Sequence, residues 1–330
     1  MSGKESMVDR RSLNWRGLLF VAASIVQLAS APVASAQAPA ALTKIRVAET
    51  PGLPTAFIKF GIQKGFFKDE GLDAQVMSMP GGAQEVAAAL SGDVQFTGGD
   101  VVAFTIFRSH HVPVVIVSPG TAGSTDIHDD YAALIVPPNS PVKKPQDLAG
   151  KLISTNELNN IGMVLSLAAL EKYGVAPSQT HWAEMPLPDV MAALQSGQIA
   201  AGYVVEPFLS IAKAAGFHAV LYLAAEYGPH TQIGISLTTE SFLASNPKAV
   251  AAFQRAHQHT AEYVMAHPDE YRAALVKIAG IKPAIAAKIH LPVYLPEVNR
   301  ETLTRVGQTM VKLGVLDKAP DTKSFYAPAP

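Results

Sequence analysis

The residues Met79-Pro80-Gly81-Gly82 open a short helical run that ends at Ser91-Gly92, and Met185-Pro186-Leu187-Pro188 open a second that ends at Ser196-Gly197. A strand-like stretch follows each run, so one chain contains the same loop–helix–glycine–strand unit twice. Two similar lobes that face each other are the architecture of a clamp that closes on a ligand. This repeat is the feature of the sequence that most strongly indicates the fold.

The first 36 residues have the layout of a cleaved export signal. Four basic and two acidic side chains precede an apolar run over residues 17–29, and the small residues Ala34-Ser35-Ala36 follow. The run is too short to span a bilayer comfortably, whereas this order of segments is typical of a secretory signal peptide. We predict a signal peptide over residues 1–36, cleavage after Ala36 and a periplasmic protein. The route, general secretory or twin-arginine, stays open.

The composition excludes several classes of protein. With no cysteine, the chain has no disulfide, thiol nucleophile or cysteine-ligated zinc. The formal net charge is −1, and because residues 1–36 account for +2, the remainder carries −3 and gives no basic surface for nucleic acid. A hydrophobic fraction of 48% is typical of a soluble globular protein. We expect a monomer without cofactor, metal or catalytic residues.

Strand-like and helix-like segments alternate along the mature chain, which is the pattern of α/β lobes with largely parallel sheets. Flexible connections near residues 120–130 and 227–233 suit two crossovers between lobes. We predict a first part of lobe 1 over 37–125, lobe 2 over 126–230, a return to lobe 1 with C-terminal helices over 231–318, and a flexible tail over 319–330.

Several segments together resemble the periplasmic solute-binding proteins of the alkanesulfonate, taurine and nitrate ABC importers, including their relatives that bind thiamine-pyrimidine precursors. The segments that carry the resemblance are Gly65-Phe66-Phe67-Lys68-Asp69-Glu70-Gly71-Leu72-Asp73, Pro80-Gly81-Gly82, Ser91-Gly92-Asp93-Val94, Asp147-Leu148-Ala149-Gly150-Lys151, Ser196-Gly197-Gln198-Ile199, Glu206-Pro207 and Asn246-Pro247-Lys248-Ala249-Val250-Ala251-Ala252-Phe253. The resemblance covers most of residues 44–280.

The resemblance implies an α/β fold of the type II periplasmic-binding-protein class. Such a protein is a two-lobed clamp in which each lobe is a mainly parallel sheet flanked by helices, with two crossover strands. It also implies a small-molecule solute as ligand and an ABC permease with its ATPase as partner.

Ligands of parallel α/β lobes lie at the carboxyl ends of the strands, near helix N-termini. This rule selects the loops 50–53, 80–83, 97–100, 154–160 and 205–206. The ligand-binding candidates in them are Thr50, Leu53, Gly81, Gly82, Asp100, Asn156, Asn159, Asn160 and Glu206.

The charge of these loops argues against a simple anion site. They contain no Lys or Arg but do contain Asp100, Glu157 and Glu206, and carboxylates repel a bound anion. A neutral, zwitterionic or nitrogen-rich ligand is one interpretation, with a carboxylate accepting its N–H groups. Helix capping or exposure to solvent is the other, which we favour for Glu157, whereas for Glu206 we favour ligand binding.

The remaining conspicuous residues favour packing roles. His110-His111 are adjacent, and His257 and His259 lie at i and i+2 of a predicted helix, so neither pair suits one metal ion. Trp182 could stack on a flat ligand, although packing beneath the second repeat is the more economical interpretation.

Two functional classes follow from these observations. The first is a receptor that traps a sulfonate-, taurine- or nitrate-like solute and delivers it to a permease. The alternatives are a receptor for a pyrimidine, another nitrogen heterocycle or an aromatic acid, and a pyrimidine-synthase-like enzyme. The export signal and the absence of cysteine favour a receptor over the enzyme.

Overall fold

Two five-stranded sheets flanked by helices make up the part of the chain described by the computed structural model, residues 41–128 and 130–330. The predicted signal peptide and its cleavage point lie outside the described residues. No helix in the described ranges is long and apolar enough to cross a bilayer.

Lobe 1 (residues 41–119 and 235–330) starts with alternating strands and helices. Its first elements are β1 (Thr43–Glu49), α1 (Leu53–Lys64), α2 (Phe66–Asp69), β2 (Leu72–Ser78), α3 (Gly82–Leu90), β3 (Phe96–Thr97), α4 (Val101–Ser109) and β4 (Val114–Pro119). The first crossover strand, β5 (Thr121–Ala122), follows them.

Lobe 2 (residues 131–227) is built from one continuous segment. Its elements are β6 (Ala132–Val136), β7 (Leu152–Thr155), α5 (Ile161–Lys172), β8 (His181–Glu184), α6 (Val190–Gln195), β9 (Ala201–Val205), α7 (Phe208–Ala214), β10 (His218–Tyr222) and α8 (Ala224–Tyr227).

The chain then returns to lobe 1, where it adds one strand to the first sheet and most of the helices that cover it. These elements are β11 (Ile235–Thr239), α9 (Glu240–Ser245), α10 (Pro247–Ala266), α11 (Pro268–Ile278), α12 (Pro283–Ala286), β12 (Val293–Tyr294) and α13 (Arg300–Lys312).

The two sheets have the same topology. Their strand orders are β2-β1-β3-β11-β4 and β8-β7-β9-β6-β10. In each sheet only the fourth strand, β11 or β6, runs antiparallel to its neighbours. The predicted α/β fold with mainly parallel sheets is therefore confirmed, with one antiparallel strand per lobe.

The sequence repeat occupies equivalent places in the two sheets. It forms β2–α3–β3 in lobe 1 and β8–α6–β9 in lobe 2. Gly92 and Gly197 follow the two helices with φ of 83° and 74°, a left-handed conformation that glycine adopts without steric cost. This requirement explains why a glycine follows the end of both helices.

The two crossovers run side by side and are hydrogen-bonded to each other. Gly120 N–H donates to the Gly234 carbonyl and Gly123 N–H to the Thr231 carbonyl, each at 2.9 Å. A Cβ on Gly120 would lie 2.6 Å from the Gly234 carbonyl carbon, so the glycine allows this close approach. Paired crossovers of this kind form a hinge between the lobes.

The C-terminal residues are packed against lobe 1, which corrects our expectation of a flexible tail over 319–330. Phe325 is 3% exposed, and its ring meets that of Phe104 edge to face at 4.9 Å. Ala327 N–H donates to the Ile116 carbonyl at 2.8 Å. The proline-rich composition suggested disorder, but these contacts add the segment to the edge of the first sheet.

Candidate functional site

A cavity of about 80 Å³ lies between the two lobes. Five of the predicted site residues line it, namely Thr50, Gly82, Asp100, Asn156 and Asn160. The other lining residues are Pro54, Gly99, Thr121, Tyr131, Glu157, Ile161, Leu187, Tyr203, Val205, Ile233 and Gly234. The lining residues come from both lobes and both crossovers. A hinge motion between the lobes would therefore open or close the cavity.

Asp100 joins the lobes at the N-terminus of α4. Its Oδ1 accepts the N–H groups of Val102 and Ala103 at 2.9 Å, which caps the helix, and that of Ile161 in lobe 2 at 3.1 Å. Burial is the main cause that raises the pKa of Asp100 to about 7, and these hydrogen bonds oppose it. Asp100 therefore faces the cavity while serving as a cap and as an interlobe contact.

Glu157 also caps a helix, but a helix of the opposite lobe. Its two carboxylate oxygens accept the N–H groups of Gly82 and Ala83 at the start of α3, each at 3.1 Å. Free N–H groups at a helix N-terminus bind anions well. A carboxylate of lobe 2 thus occupies the anion-binding end of α3 in lobe 1.

Asn156 and Asn160 form one side of the cavity. Asn160 caps α5, because its Oδ1 accepts from Met163 N–H at 3.1 Å, and its Nδ2 donates to Asn156 Oδ1 at 2.7 Å. Asn156 and Tyr203 both line the cavity, and their side chains carry an amide N–H and a hydroxyl donor.

Four predicted site residues do not line the cavity. Glu206 is fully buried, and its carboxylate accepts from Ser210 N–H and Oγ–H at 2.9 and 2.7 Å and from His290 N–H at 3.2 Å. It caps the first turn of α7 and does not line the cavity. The others that do not line the cavity are Leu53, Gly81 and Asn159, of which Leu53 is a core side chain.

Two buried acids beside the cavity, Glu85 and Glu49, were not predicted from the sequence. Glu85 is fully buried on α3 and accepts from Thr50 Oγ–H at 2.9 Å and Thr97 Oγ–H at 3.1 Å. Glu49, the last residue of β1, is 6% exposed. The sequence could have indicated that Glu85 is buried, because it lies four residues before Ala89 and therefore on the same, buried face of α3.

Glu85 makes the stability of the protein depend on pH. Burial is the largest of the causes that raise its pKa from 4.5 to about 7. The folded protein therefore binds more protons than the unfolded chain between these values, and stability falls as the pH rises through about 7. We expect the contribution of Glu85 alone to this loss to be on the order of 2 kcal/mol between pH 5 and 8.

Replacing Glu85 with glutamine should reduce this dependence by the contribution of Glu85, as measured by thermal unfolding at several pH values. The exposed Glu301→Gln in α13 is a matched control and should retain the wild-type slope. Asp100 and Glu49 have pKa values raised in the same direction, so part of the slope will persist in Glu85→Gln. An unchanged slope would contradict this assignment.

The conspicuous histidines and tryptophan lie outside this cavity. His257 is buried beside the ring of Phe57, at 4.8 Å between centroids, and burial lowers its pKa to about 3. Trp182 packs at the edge of the core and donates from Nε1 to Thr180 at 3.0 Å. Within the described residues, no group of three or more histidine, aspartate or glutamate side chains could hold a metal ion.

Known structures place this two-lobed fold in the periplasmic-binding-protein class. The alkanesulfonate-binding protein SsuA from Xanthomonas axonopodis pv. citri, bound to MOPS, superposes with a TM-score of 0.72 at 15% identity, covering 87% of this chain and 97% of that one. A Candida albicans protein described as having the generic periplasmic binding protein fold gives a TM-score of 0.69 at 15% identity, with the same coverages.

The chain belongs to the NMT1/THI5 like family, whose family model matches residues 55–271. Among curated proteins, the taurine-binding periplasmic protein of Escherichia coli is 26% identical over 225 residues, which are 66% of this chain and 67% of that protein. The resemblance inferred from the sequence is therefore confirmed.

The position of Glu157 leads to a prediction about anionic ligands. An anionic group of a solute that binds at α3 has to displace the Glu157 carboxylate from Gly82 and Ala83. We expect Glu157→Ala to raise the affinity for simple anionic solutes about tenfold, because a helix cap contributes about 0.5–2 kcal/mol. Isothermal titration with ethanesulfonate measures the effect.

Glu171→Ala is the matched control for this experiment. It removes a glutamate from α5 of the same lobe, where Glu171 pairs with Lys312 at 2.6 Å on the surface. The control should bind as the wild type does. Weaker ethanesulfonate binding in Glu157→Ala would show that the Glu157 carboxylate assists ligand binding instead of competing with it.

Proposed function

We propose that this protein is the substrate-binding component of an ABC importer. It traps a small polar organic solute between its lobes and delivers it to a permease and its ATPase at the inner membrane. The family membership, the similarity to a taurine-binding periplasmic protein and the two-lobed fold support this role. We also propose that the chain acts as a monomer in the periplasm after removal of residues 1–36.

The observation that carries this proposal is a cavity lined by residues of both lobes and both crossovers, with polar and apolar side chains on its walls. Direct hydrogen bonds span the gap between the lobes, from Ile161 to Asp100 and from Gly82 and Ala83 to Glu157. Since each bond joins one lobe to the other, rotation about the hinge breaks them all together. A solute gains contacts on both sides only when the lobes are closed, so binding favours the closed form.

The composition of the cavity sets how a solute would be held. Asn156 and Tyr203 offer donors from lobe 2, whereas the α3 N-terminus in lobe 1 offers backbone N–H groups once Glu157 moves away. Apolar walls from Pro54, Leu187 and Ile233 would contact a short carbon chain. The role proposed for the protein is binding and transfer, with no chemical step on the solute.

The solute class that we propose is an alkanesulfonate, taurine or a similar small anion-bearing compound. The names of the related proteins support it, since one is taurine-binding and another alkanesulfonate-binding. These relatives favour a sulfonate over the pyrimidines, other nitrogen heterocycles and aromatic acids that the sequence left open.

A thermal-shift screen of the purified, ligand-stripped protein tests the proposal. The panel contains taurine, ethanesulfonate, nitrate, an aromatic acid, a pyrimidine and a polyamine. A ligand at one hundred times its dissociation constant stabilises the folded state by about 2.7 kcal/mol, which raises Tm by a few degrees in a protein of this size. A shift with a sulfonate supports the proposed cargo, a shift with another class replaces it, and turnover of any compound overturns the receptor role.

A further inference from the structure

A second, smaller space adjoins the interlobe cavity inside lobe 1. It has a volume of about 50 Å³ and shares five lining residues with the cavity, namely Thr50, Pro54, Gly99, Thr121 and Gly234. The remaining lining residues are Glu49, Phe57, Gly120, Ile235, Ser236, His257 and Tyr294. We call this space the Glu49 chamber. It exceeds the roughly 10–15 Å³ that one water molecule requires, so it can admit a small chemical group.

Glu49 is the carboxylate that faces this chamber without a hydrogen-bond partner, and the hydroxyl of Tyr294, which also lines the chamber, has no partner either. The Glu49 side chain is more than nine-tenths buried, and no described residue donates a hydrogen bond to its carboxylate. A Cβ on Gly98 would fall well within contact distance of Glu49 Oε2, so the backbone that directly follows β3 passes close to the carboxylate. A buried carboxyl without a hydrogen-bond partner is costly to the fold, and a donor supplied from outside would remove this cost.

The groups around Glu49 favour a cation over an anion in the chamber. Glu85 lies close enough to raise the pKa of Glu49 by charge repulsion, in addition to the larger effect of burial. His257 does not offset this charge, because burial holds its pKa far below neutral pH. Neither lysine nor arginine occurs among the described residues that line the chamber or the cavity.

We propose that the Glu49 chamber is a second subsite for the solute and that it receives a protonated nitrogen, an amino or amidinium group, which donates to Glu49. This inference rests on the proposed function and narrows the substrate class to solutes with a cationic nitrogen. The rest of the solute lies in the interlobe cavity, next to Asn156 and Tyr203. A sulfonate with an amino group then has one end in each space.

A pair of matched ligands tests this subsite. Taurine and 2-hydroxyethanesulfonate differ in having an amino group or a hydroxyl group at one end. By isothermal titration we expect the wild type to bind taurine at least tenfold more tightly. Glu49→Gln should abolish this preference while changing the affinity for 2-hydroxyethanesulfonate by less than twofold. Equal affinities in the wild type, or equal weakening of both ligands in the variant, would overturn the subsite.

A second variant addresses the case in which Glu49→Gln does not fold. Ser236→Val fills part of the chamber and leaves Glu49 in place, so it should reduce the preference for taurine in the same way. Ser245→Val at the exposed end of α9 is the matched control and should keep the wild-type preference. If Ser236→Val keeps the wild-type preference for taurine, the proposed subsite is contradicted.

A third experiment probes the chamber with a simple cation, so its result does not depend on whether the protein binds sulfonates. If neither sulfonate binds the wild type, the cargo proposed above is wrong, but the chamber can still be probed with methylammonium chloride. Crystals soaked in it should show the nitrogen within hydrogen-bond distance of Glu49, and crystals soaked in potassium chloride should not. Water alone in the chamber under both conditions would overturn the subsite.

Discussion

We expect Glu206→Ala to lower the free energy of unfolding by about 3 kcal/mol. The substitution leaves the N–H groups of Ser210 and His290 and the hydroxyl of Ser210 without their buried acceptor, and each such loss costs about 1–3 kcal/mol. Urea unfolding of the wild type and the variant at pH 7 measures the difference.

Ser210→Ala is the matched control, because it removes one of the three hydrogen bonds and keeps the carboxylate. It should cost about 1 kcal/mol. The two results also decide between the structural position of Glu206 and the ligand-binding role that its sequence context suggested. Loss of solute binding in Glu206→Ala with almost unchanged stability would favour the ligand role.

A comparable loss, about 3–5 kcal/mol, is expected for Phe253→Ala in α10. Phe253 is fully buried in the core of lobe 1, and its ring stacks on that of Phe96 with centroids 3.9 Å apart and a 7° angle between planes. Truncation leaves a cavity between α10 and the sheet. Because α10 belongs to the returning segment, the change weakens its attachment to the strands of the first segment.

Phe66→Ala provides the comparison for Phe253→Ala. Phe66 is half-buried at the start of α2 and meets the ring of Tyr263 at 5.5 Å, so its removal exposes less apolar surface and leaves no closed cavity. It should cost less than half as much in the same denaturant titration. Equal losses would mean that the core around Phe253 collapses to fill the space.

The sequence allowed the fold to be predicted because the signals that define it are local. The two Ser-Gly helix ends, the alternation of strands and helices, and the breaks near residues 120 and 230 are each contained in a short window. The repeat also predicted equivalent positions for α3 and α6, which the shared strand order confirms.

The candidate site was harder to predict from the sequence than the fold, because its contacts join distant parts of the chain. Glu157 lies 75 and 74 residues from Gly82 and Ala83, which it caps, and no local pattern identifies a helix cap supplied by another lobe. Glu206 could be placed at the end of a buried strand but not oriented, since the donors that satisfy it come from α7 and from His290. Orientation depends on packing, which periodicity does not encode.

The interleaving of the two chain segments in lobe 1 has a consequence for the order in which the protein assembles during synthesis. Strand β11 lies between β3 and β4, and among the described strands only β11 pairs with β4. A nascent chain that has reached residue 230 contains every strand of the second sheet, whereas the first sheet still has an unpaired strand and open edges. Open edges invite pairing with other chains, so lobe 1 is exposed to misassembly until the residues of β11 have been added.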